Sequence, residues 1–203
     1  MKKEAEPKEW PKTPAFQDED TREMLDSTEE VQDGYYLYTS KTGGYSMLWP
    51  VDAIKHSYQN NGDSYEKIIF GASNKRENYT YEISTTYENA SPEHLIDSFL
   101  SILSSSLQYS GEYEEIKESN KTLFFAQEKD TLESTDGRRG TYYSYFGYIR
   151  DNVTEQGVRY IYTVSCYDDE NVKECNIDES KEKERTLMLM KSVNFSKVDL
   201  EGE

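Results

Sequence analysis

Histidine and cysteine, which often carry chemistry in proteins, occur only twice each in this chain. We expect His56 to lie in a loop and His94 in the first turn of a helix. Neither stands at a spacing from a cysteine or from the other histidine that would form a zinc site. Exposed imidazoles are the simpler interpretation, and we predict no metal site that uses them.

Clusters of charged residues are the next candidates. Asp168 to Asn171 offers the oxygen ligands that calcium prefers, but its spacing differs from an EF-hand loop and favours a solvated acidic loop. The glutamates from Glu112 to Glu118 are expected at the surface, while Arg138 and Arg139 either receive a carboxylate or are simply exposed. No Gly-x-Ser-x-Gly, Walker or His-Glu-x-x-His motif occurs. We therefore predict a protein that is not an enzyme, with no catalytic, cofactor-binding or metal-ligating residue.

The two cysteines, Cys166 and Cys175, are nine positions apart and are separated by a loop of Asp, Glu and Asn. A close pair in a hairpin-like setting favours a local disulfide, and a disulfide favours an oxidising compartment. Two reduced thiols in a cytosolic protein are the alternative.

Aromatic residues crowd two neighbouring predicted strands, Thr141 to Ile149 and Val158 to Tyr167. β-branched and aromatic side chains favour strands, so this pair is predicted to form the centre of an antiparallel sheet. An exposed row of rings could stack on sugars or bind a protein. The alternative is that helices cover both faces of the sheet and the rings are core. The residues considered for such a binding surface are Tyr142, Phe146, Tyr148, Tyr160 and Tyr162.

Composition excludes several function classes. The net charge is −17, which disfavours nucleic acid and anionic lipid as direct ligands because both would be repelled. Only 34% of the 203 residues are hydrophobic, but 18 tyrosines add large apolar rings and make a thin core feasible. No apolar run approaches the roughly 20 residues of a membrane-spanning helix, and Met1 to Glu6 lacks the apolar segment of a signal peptide.

The remaining elements must position these residues. Residues 1–33 hold prolines and many charges without apolar periodicity, which predicts a flexible spacer, and 34–203 are predicted to form one domain. The clearest helix is Pro92 to Leu107, with Ser91 as its cap and a wide apolar stripe that should lie on the sheet. A last helix is predicted from Lys181 to about Ser192. The fold class is therefore α+β, a twisted antiparallel sheet flanked by helices.

The order of these elements resembles the PsbP/Mog1-like α/β/α sandwich. The resemblance covers roughly Gly34 to Ser196 and rests on an opening hairpin, a helix that begins Ser-Pro-Glu, further antiparallel strands and a terminal helix. Its sequence segments are Tyr38-Thr-Ser-Lys-Thr-Gly-Gly-Tyr45, Leu48-Trp-Pro50 and Met190-Lys-Ser-Val-Asn-Phe195. The polar spacer and the cysteine pair are similar to lipoproteins of Gram-positive bacteria that carry such domains.

This resemblance implies a non-catalytic binding or assembly module outside the cytoplasm. It would be held at the membrane by a lipid on a cysteine that precedes Met1, and it would interact with another protein at the cell surface without a cofactor. Two alternatives stay open. A carbohydrate-binding or hydrolytic envelope protein would have an open cleft with stacked tyrosines and a carboxylate pair, and a cytosolic chaperone-like binder would keep both cysteines reduced.

Overall fold

A computed structural model of the chain describes residues 10–133, 139–168 and 177–196. Its helices are α1 (Pro14–Gln17), α2 (Glu19–Arg22), α3 (Ile96–Ser106, preceded by a 3₁₀ turn at Glu93–Leu95) and α4 (Glu179–Ser192). Its strands are β1 (Tyr35–Thr39), β2 (Tyr45–Pro50), β3 (Ile54–Asn61), β4 (Tyr65–Asn74), β5 (Tyr79–Glu88), β6 (Glu114–Lys117), β7 (Lys121–Glu133), β8 (Arg139–Asp151), β9 (Gly157–Asp168) and β10 (Asn194–Phe195).

Seven antiparallel strands form the larger sheet, in the order β3-β4-β5-β9-β8-β7-β6. The predicted aromatic pair, β8 and β9, lies inside this sheet, with Tyr145 opposite Tyr162. The α+β class and the antiparallel sheet flanked by helices are therefore confirmed. Strand β3 escaped prediction because its side chains are mostly polar and exposed, without the alternation that marks a half-buried strand.

The first hairpin does not join the large sheet. Strands β1 and β2 pair with β10 to form a separate three-stranded sheet, which packs with α4 over one face of the larger one. Trp49 of β2 stacks on Phe70 of β4 with ring centroids 4.0 Å apart, and both are fully buried. Each sheet has one apolar face that is stabilised by burial. The face-to-face packing of these two faces therefore forms the main core.

Helix α3 covers part of the opposite face. Leu103 is its one fully buried residue, and it packs with Phe146 and Tyr148 of β8. The apolar stripe on this helix was predicted correctly, but Ser91 does not cap the helix, because the turn that precedes α3 starts from Pro92 and lacks a side-chain cap. Thr80 and Glu82, which point the same way from β5, are exposed. This face of the sheet is therefore covered at one end and open at the other.

Part of the predicted spacer, residues 10–25, packs on the domain. Ala15 and Phe16 of α1 are core residues, and the Phe16 ring contacts Tyr36 edge to face at 4.7 Å. The Ala15 amide donates to the Val51 carbonyl (3.1 Å). Two helices of four residues each carry too few apolar positions to show periodicity, so composition alone suggested a linker. Residues 1–9 lie outside the described part.

No helix within the described segments is both long enough and apolar enough to cross a membrane.

Candidate functional site

Four of the five aromatic residues considered as a binding surface are buried. Phe146 and Tyr148 point toward α3, whereas Tyr160 and Tyr162 point toward the three-stranded sheet. Tyr142 is half-buried. The exposed aromatic surface was therefore a wrong prediction for these four residues. Other elements pack on both faces of the sheet and bury their rings in the core. The alternative interpretation is the one that the structure supports.

Burying so many tyrosines also buries acceptors for their hydroxyl groups. Glu66 on β4 is fully buried, and its carboxylate accepts hydrogen bonds from the hydroxyls of Tyr38 (2.7 Å), Tyr45 (3.0 Å) and Tyr58 (3.0 Å) and from the Lys41 amide (3.0 Å). Burial, reinforced by the Glu66 charge, raises the pKa of all three phenols, which therefore stay protonated and donate. This cluster ties the two sheets together.

A second buried carboxylate joins α4 to the large sheet. Glu182 accepts from Tyr162 (2.6 Å) and Tyr79 (3.0 Å), and the Arg185 guanidinium lies 4.4 Å from the centre of the Tyr81 ring. Both carboxylates are thus occupied by structural hydrogen bonds, which is how a buried charge is stabilised. Sequence analysis missed both residues, although Glu66 gave a signal: it stands in phase with Ile68 and Phe70 on a core-facing strand.

His56 lies in strand β3 rather than in a loop, at the register shift between Lys55 and Ser57. Its Nδ1 is 3.2 Å from a carboxylate oxygen of Glu82, and both side chains are about half exposed. The pair lines a groove of ≈ 510 Å³ with a mixed polar and apolar lining, which also includes the hydroxyl groups of Thr80, Thr163 and Ser165. His94 lies in the exposed 3₁₀ turn, close to its predicted place.

Several predictions fall on residues outside the described ranges. Cys166 is buried near the end of β9, but Cys175 is outside, so the disulfide stays a prediction. The same holds for the calcium alternative, which involves residues 169–171, and for Arg138. The glutamates from Glu112 to Glu118 lie around edge strand β6, where Glu114 and Glu115 are exposed.

An apolar groove of ≈ 500 Å³ lies between α4 and the outer side of the three-stranded sheet. Leu48, Leu187 and Met188 line it and are only partly buried. Ser192 fixes the junction by donating to the Leu189 carbonyl (2.6 Å) and accepting from the Leu48 amide (3.0 Å). In a chain with so few hydrophobic residues, three that share an accessible groove are a candidate site for binding another molecule.

A family model described as "Putative lipoprotein YvcA" (YvcA_Mog1p) matches residues 11–194. The chain belongs to the YvcA_Mog1p family. A Bacillus subtilis (strain 168) protein named "Putative lipoprotein YvcA" is 34% identical over 197 residues, which are 95% of this chain and 81% of that protein. The predicted resemblance to Mog1-like domains is thereby confirmed, and the match of the YvcA_Mog1p model includes α1 and α2, in agreement with their packing.

Proposed function

We propose that this chain is the extracytoplasmic domain of a lipid-anchored lipoprotein that binds a partner protein and catalyses no reaction of its own. The name of the Bacillus subtilis relative supports the lipoprotein assignment. Glu66 and Glu182 are both occupied by hydrogen bonds that hold the core, so we assign neither of them a catalytic role.

The apolar groove carries the proposal of protein binding. Leucine and methionine side chains adapt to a partner surface, and accessible apolar patches on soluble domains are typically interaction sites. The rim includes the exposed residues Glu184 and Lys191. With 40 acidic against 23 basic residues in the chain, the complementary partner is a protein that inserts an apolar side chain surrounded by basic residues.

Photo-crosslinking in the native host tests the binding site. A photoreactive amino acid at Met188 should capture one discrete protein, and Leu187→Asp should abolish that product because a carboxylate would be placed in the groove. The matched control is the same photoreactive residue at Ile102, which is 49% exposed on α3 and far from the groove. Equal products from both positions, or none from Met188, would contradict the proposal.

The lipid anchor has a test of its own. The protein expressed from its native gene should incorporate a fatty-acid analogue and fractionate with membranes. A native product that carries no lipid would reject the anchor without affecting the binding site.

The groove beside His56 and Glu82 favours one alternative, a carbohydrate-binding envelope protein. Hydroxyl groups and the His56–Glu82 pair can exchange hydrogen bonds with a sugar. Among the described residues that line this groove, Glu82 is the one carboxylate, so hydrolysis by a carboxylate pair is not favoured there. Binding of envelope glycans that is abolished by Glu82→Gln and unaffected by Leu187→Asp would favour this alternative.

A further inference from the structure

A second polar site lies where the cover of α3 over the large sheet ends. The strand register places Thr86, Arg159 and Tyr148 side by side on the α3 face, and Glu88, Gly157 and Arg150 in the next row. The segment that follows β5 brings Ser91 over this region, where the Ser91 amide donates to the Glu155 carbonyl (2.5 Å).

Three buried donors in this site lack a hydrogen bond of normal geometry, although the Ser91 and Tyr148 hydroxyls are neighbours. Within the described residues, the hydroxyls of Ser91 and Tyr148 and the Nε–H of Arg159 are buried without a hydrogen bond. Ser91 and Tyr148 are both fully buried. Their hydroxyls converge over Gly157, since a Cβ on this glycine would lie 2.0 Å from the Tyr148 hydroxyl and 2.7 Å from Ser91 Oγ. Unsatisfied buried donors are costly, and each one calls for an explanation.

Two arginines and two glutamates surround the site, so its charge is balanced, whereas the chain as a whole is acidic. Arg159 donates to Glu88 through Nη2 (2.8 Å), and the other N–H groups of its guanidinium can donate to a further acceptor. Arg150 donates to the Ser91 carbonyl (3.3 Å), and its other close contact is a loose one with Glu155 (3.9 Å). The pKa of Tyr148 reflects this setting: burial raises it to about 12, Ser91 and both arginines lower it, and Glu88 raises it.

The geometry points to a carboxylate-binding site in which a carboxylate from outside the chain accepts hydrogen bonds from Arg159 Nε, the Tyr148 hydroxyl and the Ser91 hydroxyl. A carboxylate only accepts hydrogen bonds, which suits a site with three donors, and Arg150, whose carboxylate contact with Glu155 is loose (3.9 Å), adds a positive charge beside it. The side chains of Arg159 and Glu88 are 22% and 23% exposed, so solvent reaches the Arg159–Glu88 edge of the site. The carboxylate belongs either to a free small acid or to an acidic residue of a peptide. This site is separate from the apolar groove, and the inference does not depend on the proposal that the groove binds a protein.

Titration of the full chain with sodium acetate, followed by the ¹⁵N–¹H resonance of Arg159 Nε, tests the inference. A saturable shift is expected with acetate and not with sodium chloride at the same ionic strength. Tyr148→Phe keeps the ring, and Ser91→Ala keeps the backbone. Each should weaken acetate binding by roughly tenfold or more, because each removes a hydrogen bond to a charged group. Thr80→Val, an exposed change on the same sheet, should leave binding unchanged.

Two blocked amino acids distinguish the sources of the carboxylate. Saturable binding of acetyl-aspartate amide, with none by acetyl-asparagine amide, supports a peptide side chain; binding of acetate alone supports a free small acid. The inference is overturned if acetate and chloride give the same response. It is equally overturned if Tyr148→Phe and Ser91→Ala, both folded, bind acetate as well as the unmodified chain does.

Discussion

Glu66 is a charged residue at a core-facing position of strand β4, on the same face as Ile68 and Phe70. Its side chain replaces the water it loses with four hydrogen bonds, three of them from tyrosine hydroxyls. Two of those tyrosines, Tyr38 and Tyr45, come from the three-stranded sheet, so a single carboxylate joins both layers of the core. At the residue scale, this is what allows tyrosine to replace aliphatic side chains: the rings pack, and their hydroxyls share acceptors.

Replacing this carboxylate by an amide should destabilise the fold. In Glu66→Gln, one acceptor oxygen becomes an NH₂ donor that faces further donors. We expect the free energy of unfolding to fall by about 2–4 kcal/mol, measured by urea denaturation. Glu82→Gln, at a side chain that is 54% exposed, should change it by less than about 0.5 kcal/mol. Equal effects of the two changes would show that Glu66 is not held as described.

At the element scale, helix α3 packs on the sheet with a single fully buried side chain. Leu103 is 2% exposed and packs with Phe146 and Tyr148, while its neighbour Ile102 is 49% exposed. The sequence pattern predicted the helix and its wide apolar stripe, but the sheet covers only part of that stripe. A stripe that is wider than the contact surface cannot show which of its residues the sheet will cover.

These two adjacent positions form a matched pair. Leu103→Ala should lower the free energy of unfolding by about 2–5 kcal/mol through lost burial and the cavity left behind. Ile102→Ala should have an effect within about 0.5 kcal/mol. Chemical denaturation of both variants measures the difference, and a larger loss for Ile102 would mean that α3 is rotated on the sheet.

The short helix α1 belongs to the same scale. Phe16 is 2% exposed and packs between Trp10 and Tyr36. Phe16→Ala should therefore cost about 3–5 kcal/mol in unfolding experiments, whereas Val31→Ala, at a residue 54% exposed, should be nearly neutral. If Phe16→Ala were neutral as well, residues 10–33 would act as the spacer that composition suggested.

At the scale of the whole molecule, the dominant feature is the number of phenols kept from ionising. Burial is the largest cause that raises the pKa of each of twelve tyrosines. They are Tyr38, Tyr45, Tyr58, Tyr79, Tyr81, Tyr87, Tyr109, Tyr113, Tyr145, Tyr148, Tyr160 and Tyr162. A group whose folded pKa is raised contributes stability that is complete below its unfolded pKa and declines above it.

Stability should therefore fall steeply once the pH passes about 10, the pKa of tyrosine in an unfolded chain. We expect phenolate absorbance and far-UV circular dichroism to change together in one cooperative alkaline transition, because the buried phenols ionise only on unfolding. A gradual titration of all 18 tyrosines with the circular dichroism unchanged would contradict this account.

The sequence predicted the features that depend on local pattern, namely the β8–β9 pair, α3, α4 and the family resemblance. It did not predict what depends on distant partners. The opening hairpin forms its own sheet because its third strand comes from residues 194–195. The site at Ser91, Tyr148 and Arg159 is assembled by strand register and one loop, so no local motif marks it.

The pairing of β10 with β2 sets an order on biosynthesis. The hairpin leaves the ribosome early, but Phe195, its partner opposite Tyr45, follows 150 residues later. A nascent chain therefore carries an open hydrogen-bonding edge on β2 until residues 194–195 have been made, and the long sequence separation slows its closure. Until then, that edge can pair with a strand of another molecule, as exposed edge strands generally can.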